Sequence, residues 1–202
     1  MLGDIGDGFH YIAASKSLAP LLLLLLVDDS LIAGFFQMLP AFATTVLGSG
    51  VVGMSYILAA RGLGATVSAL VLAHGKERFI GGRIVLWAFL ASLLSLAAIA
   101  LSSQLAVAVF FAFVLGLATE TRRTGTVASI QLSVDEAQRG RVMGTLFMLS
   151  QFAAGSVALF LGAASSHMSL STLTAAGVAV GTLTWAVMFV RRDVLFPRGT
   201  PD

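Results

Sequence analysis

Two adjacent carboxylates, Asp28 and Asp29, interrupt an apolar run that contains six consecutive leucines, Leu21–Leu26. An ionisable group at membrane depth costs at least ~2.5–3.5 kcal/mol on insertion scales, so it usually faces a partner or a water-filled path. Desolvation favours the neutral form of a carboxylate, the property a proton carrier needs. Neighbouring residues point about 100° apart on a helix, so one path is expected to take one of the two. Arg61 stands equally deep in a second apolar run. It reads either as the structural counter-charge of Asp28 or Asp29, or as the holder of an anionic substrate. Glu120, Arg122 and Arg123 form a third charged group. They read as the inner half of a cavity, or as side chains such as Arg123 reaching the headgroups.

The elements that position these residues follow from composition. Only 11% of the 202 residues are charged and 57% are hydrophobic, with a mean hydropathy of +0.95. A soluble domain carries ~25% charged residues. Several apolar runs approach the ~20 residues that cross ~30 Å of hydrocarbon at about 1.5 Å per residue. The expected fold is therefore an all-α membrane protein with six transmembrane helices, in a bundle over residues 18–192. The predicted spans are 18–40, 51–73, 84–101, 105–131, 142–164 and 170–190. Pro40 is expected to end or kink the first. The fourth crosses fully only if it continues through Glu120, Arg122 and Arg123. Residues 1–17 fit a cytoplasmic amphipathic segment on the membrane surface or a loose terminus, with no signal peptide visible, and 193–202 fit a cytoplasmic tail.

Apart from Arg61, every Lys and Arg falls near Lys16, in the second-to-third turn, around the fourth-to-fifth turn, or after the sixth span. Those places share one face of a six-span protein. The positive-inside rule then puts both termini in the cytoplasm, with the chain in the plasma (inner) membrane. The spans divide into two sets of three, 18–101 and 105–190, which run in opposite directions as inverted repeats do.

Other functional classes fare poorly. The net charge is only +2 and no basic stripe is interleaved with aromatics, which argues against nucleic acid. Cysteine is absent and His10, His74 and His167 lie outside the spans, so no metal and no cofactor is expected. An intramembrane serine protease needs a nucleophile and a His base at depth. Gly48-Ser49-Gly50 lies in a turn and no span holds a His, so no enzyme is expected. No span repeats Arg at every third position, and no re-entrant filter is visible, as a gated channel would require. Phe35, Phe36, Phe110, Phe111 and Phe113 read as core or lipid-facing packing before cavity wall. Gly62, Gly64, Gly140 and Gly144 read as points of close helix approach.

Three stretches carry a resemblance. Asp135-Glu136-Ala137-Gln138-Arg139-Gly140-Arg141-Val142-Met143-Gly144 resembles the cytoplasmic turn before the eleventh helix of major facilitator superfamily transporters, P-x-E-x-R-G-R-V-x-G, with Val134 in place of the frequent proline. Gly62-Leu63-Gly64 leading to Gly75-Lys76-Glu77-Arg78 resembles a degenerate form of that superfamily's glycine-and-basic loop. Asp4-Ile5-Gly6-Asp7-Gly8-Phe9-His10-Tyr11-Ile12 is similar to the segment before the seventh helix in the drug and siderophore exporter branch, the enterobactin-exporter-like group. The resemblance implies the C-terminal six-helix half of a twelve-helix transporter. It implies proton-coupled export of amphipathic or siderophore-like small molecules by alternating access, with the substrate itself unknown. The substrate or proton pathway would then run by Asp28, Asp29, Arg61, Glu120 and Arg122. Lys76, Arg78, Asp135, Glu136, Arg139, Gly140 and Arg141 would form the cytoplasmic gate and loop motif. The implied partners are the lipid bilayer, a proton as coupling ion, and a second six-helix bundle from a missing N-terminal half or a second copy. The alternative is a truncated or non-transporting membrane subunit.

Overall fold

The computed structural model describes residues 18–74, 82–164 and 170–190. The amphipathic segment 1–17, the gate residues Lys76 and Arg78, and the tail 193–202 lie outside the described residues. Six helices make up the described chain: α1 (Leu18–Thr45), α2 (Gly50–His74), α3 (Gly82–Leu101), α4 (Leu105–Ser133), α5 (Glu136–Ala164) and α6 (Leu170–Val190). All six are long and apolar enough to cross a membrane, and the described residues contain no strand.

Two helix ends differ from the sequence reading. Pro40 does not end the helix: it lies inside α1, which continues to Thr45. Thr44 Oγ1 lies 3.0 Å from Pro40 O and 2.9 Å from Ala41 O, and Thr45 Oγ1 donates to Ala41 O at 2.7 Å. These are second donors to carbonyls of the last turns, while Phe42 O and Ala43 O, left over at the helix end, accept from Val46 N and Leu47 N and from Ser49 N. The chain then leaves α1 through Gly48 and Gly50, whose φ values of 60° and 55° are open to glycine at little cost. The second difference is α5, which begins at Glu136 rather than near residue 142. Asp135 O accepts from Gln138 N at 2.9 Å and from Arg139 N at 3.0 Å, so the expected long basic turn shrinks to Val134-Asp135. Glu, Gln and Arg are good helix formers, and a carboxylate at Glu136 suits a helix N-terminus.

α1 is the central helix and packs against all five others. Leu21, Leu22, Leu24 and Leu25 of its leucine run are buried on two sides. One cluster joins Leu21, Leu22 and Leu25 to Ile130 of α4, Val134 of the turn that follows it, and Val142 and Leu146 of α5. At the other end, Ile32, Phe35, Leu39 and Phe42 pack with Ile57 of α2, Leu96 and Ile99 of α3, and Ala108, Ala112 and Leu115 of α4. A third cluster seats Leu24 on Val85, Phe89 and Leu93 of α3 and Met188 of α6. Along both α1 and α4, the charged residues fall in the gap between the first two clusters.

The main pairings are α2 with α4, α3 with α4, α1 with α5 and α3 with α6, with α1 also on α6. A shift of three helices turns α2–α4 into α5–α1 and α3–α4 into α6–α1, while α3–α6 maps onto itself. That interchange fits the three-plus-three division. It is incomplete, because α1 packs on α2 while α4 and α5 make no comparable pairing among the described residues.

Candidate functional site

The site begins with Arg122, whose side chain is 0% exposed. Its Nε forms a close ion pair with Oδ2 of Asp28, which is 1% exposed. Its Nη2 donates to Asp29 Oδ1 at 2.8 Å, and Asp29 is 24% exposed. Ser92 Oγ of α3 lies 2.7 Å from Asp28 Oδ1 and 2.8 Å from Phe89 O, so its single proton serves one of them at a time. Ser150 Oγ of α5 donates to Asp29 Oδ2 at 2.6 Å. Four helices thus meet in one polar layer near the middle of their lengths. Hydrogen bonds involving ionised groups are about twice as strong as neutral ones, and more so where water is excluded.

The layer corrects one expectation directly. Arg61 makes no direct ion pair with Asp28 or Asp29 and acts on them only at longer range; Arg122 is the arginine that holds both, instead of merely lining a cavity. Both arginines stand at suitable depth, and the rotation of α4 about its axis decides between them. Arg61 instead sets its guanidinium 4.5 Å from the centroid of Phe36, a cation–π contact between α2 and α1. Its depth is fixed by a tight helix crossing. A Cβ on Gly64 would overlap Phe113 O, and a Cβ on Gly116 would overlap Arg61 O and crowd Ala65 N. Backbone meets backbone there, one turn from Arg61. A hydroxyl pair, Ser68 Oγ and Thr121 Oγ1 at 2.8 Å, ties the same two helices further on.

Gly64 is a point of close helix approach within this bundle, whereas Gly62, Gly140 and Gly144 touch no other helix of it. A Cβ at any of these three meets nothing within 4 Å, because each faces outward. Asp135, Glu136, Arg139, Gly140 and Arg141 lie exposed in the turn before α5 and in its first turns, away from the polar layer.

Beside the layer lies a cavity of about 280 Å³. Asp29, Arg61, Glu120, Arg122 and Arg123 bring charge to its wall, while Ile32, Ala33, Phe36 and Ala154 supply apolar surface. Asp28 is behind the wall, so of the two adjacent carboxylates one reaches the cavity, as the helix geometry requires. Glu120 accepts a long hydrogen bond from Thr124 Oγ1 at 3.3 Å, and Arg123 sits 5.8 Å from the centroid of Phe147 on α5. Sequence reasoning missed Ser92, Ser150, Thr119 and Gln151. Ser92 and Ser150 carry a faint signal, as hydroxyls at mid-length in apolar spans. Phe36, read first as packing, is cavity wall; Phe35 is buried and makes edge contacts with Phe36 and Phe42. Among the described residues, no group of three or more His, Cys, Asp or Glu side chains is placed to hold a metal ion.

The arrangement gathers two carboxylates, one arginine and two serine hydroxyls of four helices into one hydrogen-bonded set. The profile of a family described as transmembrane secretion effector, of the major facilitator type, covers residues 1–195. No curated protein and no solved structure matches the chain.

Proposed function

The chain belongs to the transmembrane secretion effector family of the major facilitator superfamily, and on that premise we propose that it is a proton-coupled exporter of amphipathic small molecules. It is an integral multi-pass membrane protein, and its activity is membrane transport of the major-facilitator type. The proposal adds direction, coupling and substrate class: outward movement across the plasma membrane, with both termini in the cytoplasm and siderophore-like compounds within the range of cargo. Alternating access would have this bundle rock against a second six-helix bundle, on the same chain or another.

The observation that carries the coupling is the sharing of Arg122 between two unequal carboxylates. Asp28 is sealed from water, whereas Asp29 borders the cavity and can meet a proton there. A proton on Asp29 removes the charged acceptor of Arg122 Nη2 and weakens the acceptor of Ser150. The Asp28–Arg122 pair is left in place. One proton therefore loosens the ties of α1 to α4 and α5 without stranding the arginine. Two packings of the helices then differ in proton affinity, which is the thermodynamic content of coupling.

The test is transport in proteoliposomes, with a panel of amphipathic dyes followed by fluorescence and an imposed pH gradient. The wild-type protein is expected to speed dye movement when the gradient opposes dye and proton flow. Asp29→Asn is expected to lose about tenfold or more of that response while still exchanging dye at equilibrium. A full gradient response in Asp29→Asn would rule out this carboxylate as the coupling site. Wild-type protein that moves no dye in either direction would favour the non-transporting subunit.

A further inference from the structure

We propose that the cavity takes its cargo by an anionic group, a carboxylate or a similar planar acceptor, held between Arg61 and Arg122. The inference rests on the transport reading and adds the chemical class of the substrate.

The argument is a balance of donors and acceptors. Asp29 has both oxygens engaged, one by Arg122 Nη2 and one by Ser150 Oγ. Asp28 has one oxygen against Arg122 Nε and the other beside Ser92 Oγ. Two buried polar atoms on residues of the cavity wall are left without a partner, Nε of Arg61 and Nη1 of Arg122. Both are guanidinium N–H donors. Buried donors without acceptors are costly, and nearly all buried polar groups in folded proteins are paired. Glu120 is the carboxylate of the wall with capacity to spare, yet it makes no hydrogen bond or salt bridge to either donor, so what Arg61 Nε and Arg122 Nη1 lack is an acceptor within reach.

The rest of the wall narrows the choice. Arg61 makes no salt bridge among the described residues, and its charge is spread over the face of Phe36. A guanidinium presents a rigid planar fork, matched by a carboxylate or another planar oxyanion better than by a lone hydroxyl. Phe36 and Ile32 offer an apolar flank for the ring or chain that such a molecule carries. Glu120 sets a limit on the other side: its carboxylate repels a second negative charge and accepts a donor. One anionic end on an otherwise apolar body fits, and a polyanion does not. The volume of about 280 Å³ lies just below the range of roughly 300–1,000 Å³ usual for ligand pockets, which suits a small molecule.

The experiment is equilibrium binding to the purified protein in nanodiscs, with empty nanodiscs subtracted for lipid partition. The probes are radiolabelled 1-naphthoate, its neutral amide 1-naphthamide, and the cation 1-naphthylmethylammonium. These share one ring system and differ in charge. Saturable 1-naphthoate binding is expected, with 1-naphthamide and the cation weaker by about tenfold or more. Arg61→Gln is expected to lose about tenfold in 1-naphthoate affinity, Arg61→Lys less, and Leu63→Ala on the exposed face of α2 nothing. Arg61 is the residue to vary because Arg122 also holds the fold together; Arg122→Lys, which keeps the charge, serves as a second probe of the clamp. Equal binding of the three probes, preference for the cation, unchanged affinity in Arg61→Gln, or no saturable binding each overturns the inference. None of those outcomes touches the dye and gradient assay, which judges the transport reading separately.

Discussion

Arg122 has a larger structural burden than any other side chain described, because two carboxylates of one helix depend on it. Moving charges out of water is expensive, and an ion pair repays the cost only when its members stay together. Removing the arginine leaves Asp28 buried with no counter-charge. Arg122→Gln should therefore cost about 3–5 kcal/mol, the usual penalty for breaking a buried pair from one side. Adding Asp28→Asn should restore a large part of that loss, since the stranded charge goes with it. Detergent-titration unfolding of the single and double variants in lipid micelles measures both. A single variant as stable as the wild type would mean that Asp28 takes up a proton at no cost or that water reaches it. Asp28 and Asp29 stood out in the sequence because carboxylates among leucines need a partner or a water-filled path. Their partner did not, since depth alone admits Arg61 as readily as Arg122. Only the azimuth of each helix separates them, and apolar runs hydrophobic on every side carry little information about azimuth.

At the level of helices, the crossing of α2 and α4 at Gly64 and Gly116 is the tightest joint described. Neither position has room for a methyl group, and the obstacle is main chain, which cannot rotate aside. Gly64→Ala and Gly116→Ala should each destabilise the protein by about 1–3 kcal/mol, as overpacking does. Both should weaken cavity binding too, because Arg61 O lies within the crossing. Gly62→Ala is expected to be neutral or slightly stabilising, given open space and the better helix propensity of alanine. Melting temperatures in one detergent compare all three, and equal shifts for Gly62 and Gly64 would refute the crossing. Gly62 and Gly64 look alike in sequence, yet two residues correspond to about 200° of helix rotation. One faces α4 and the other faces out. The stretch from Asp135 to Gly144 misleads in a related way. Its charges suggested a loop, but charged residues of high helix propensity extend a membrane helix beyond the hydrocarbon as easily as they leave it.

For the molecule as a whole, six spans were legible from the scarcity of charge and from run length, and the helix pairings were not. The distribution of Lys and Arg also predicts an orientation, which labelling can check. The chain has no cysteine of its own, so single cysteines are easily read. Thr45→Cys and Ser103→Cys should react with a membrane-impermeant maleimide in intact cells, while His74→Cys and Ser133→Cys should react only after lysis. The reverse pattern would invert the bundle. α2 and α5 keep large apolar side chains exposed, among them Tyr56, Leu63, Phe152 and Leu159. Lipid or a second bundle covers such a surface in a membrane. The shared arginine also sets a schedule for biosynthesis. Asp29 is made 93 residues before Arg122, an interval of roughly 5–20 s at ~5–20 residues per second. For that time the first helix carries two carboxylates that cost on the order of 5–7 kcal/mol to leave in lipid unpaired. Its counter-charge exists only once the fourth helix has been made, so the first helix is expected to settle in the membrane together with the later ones.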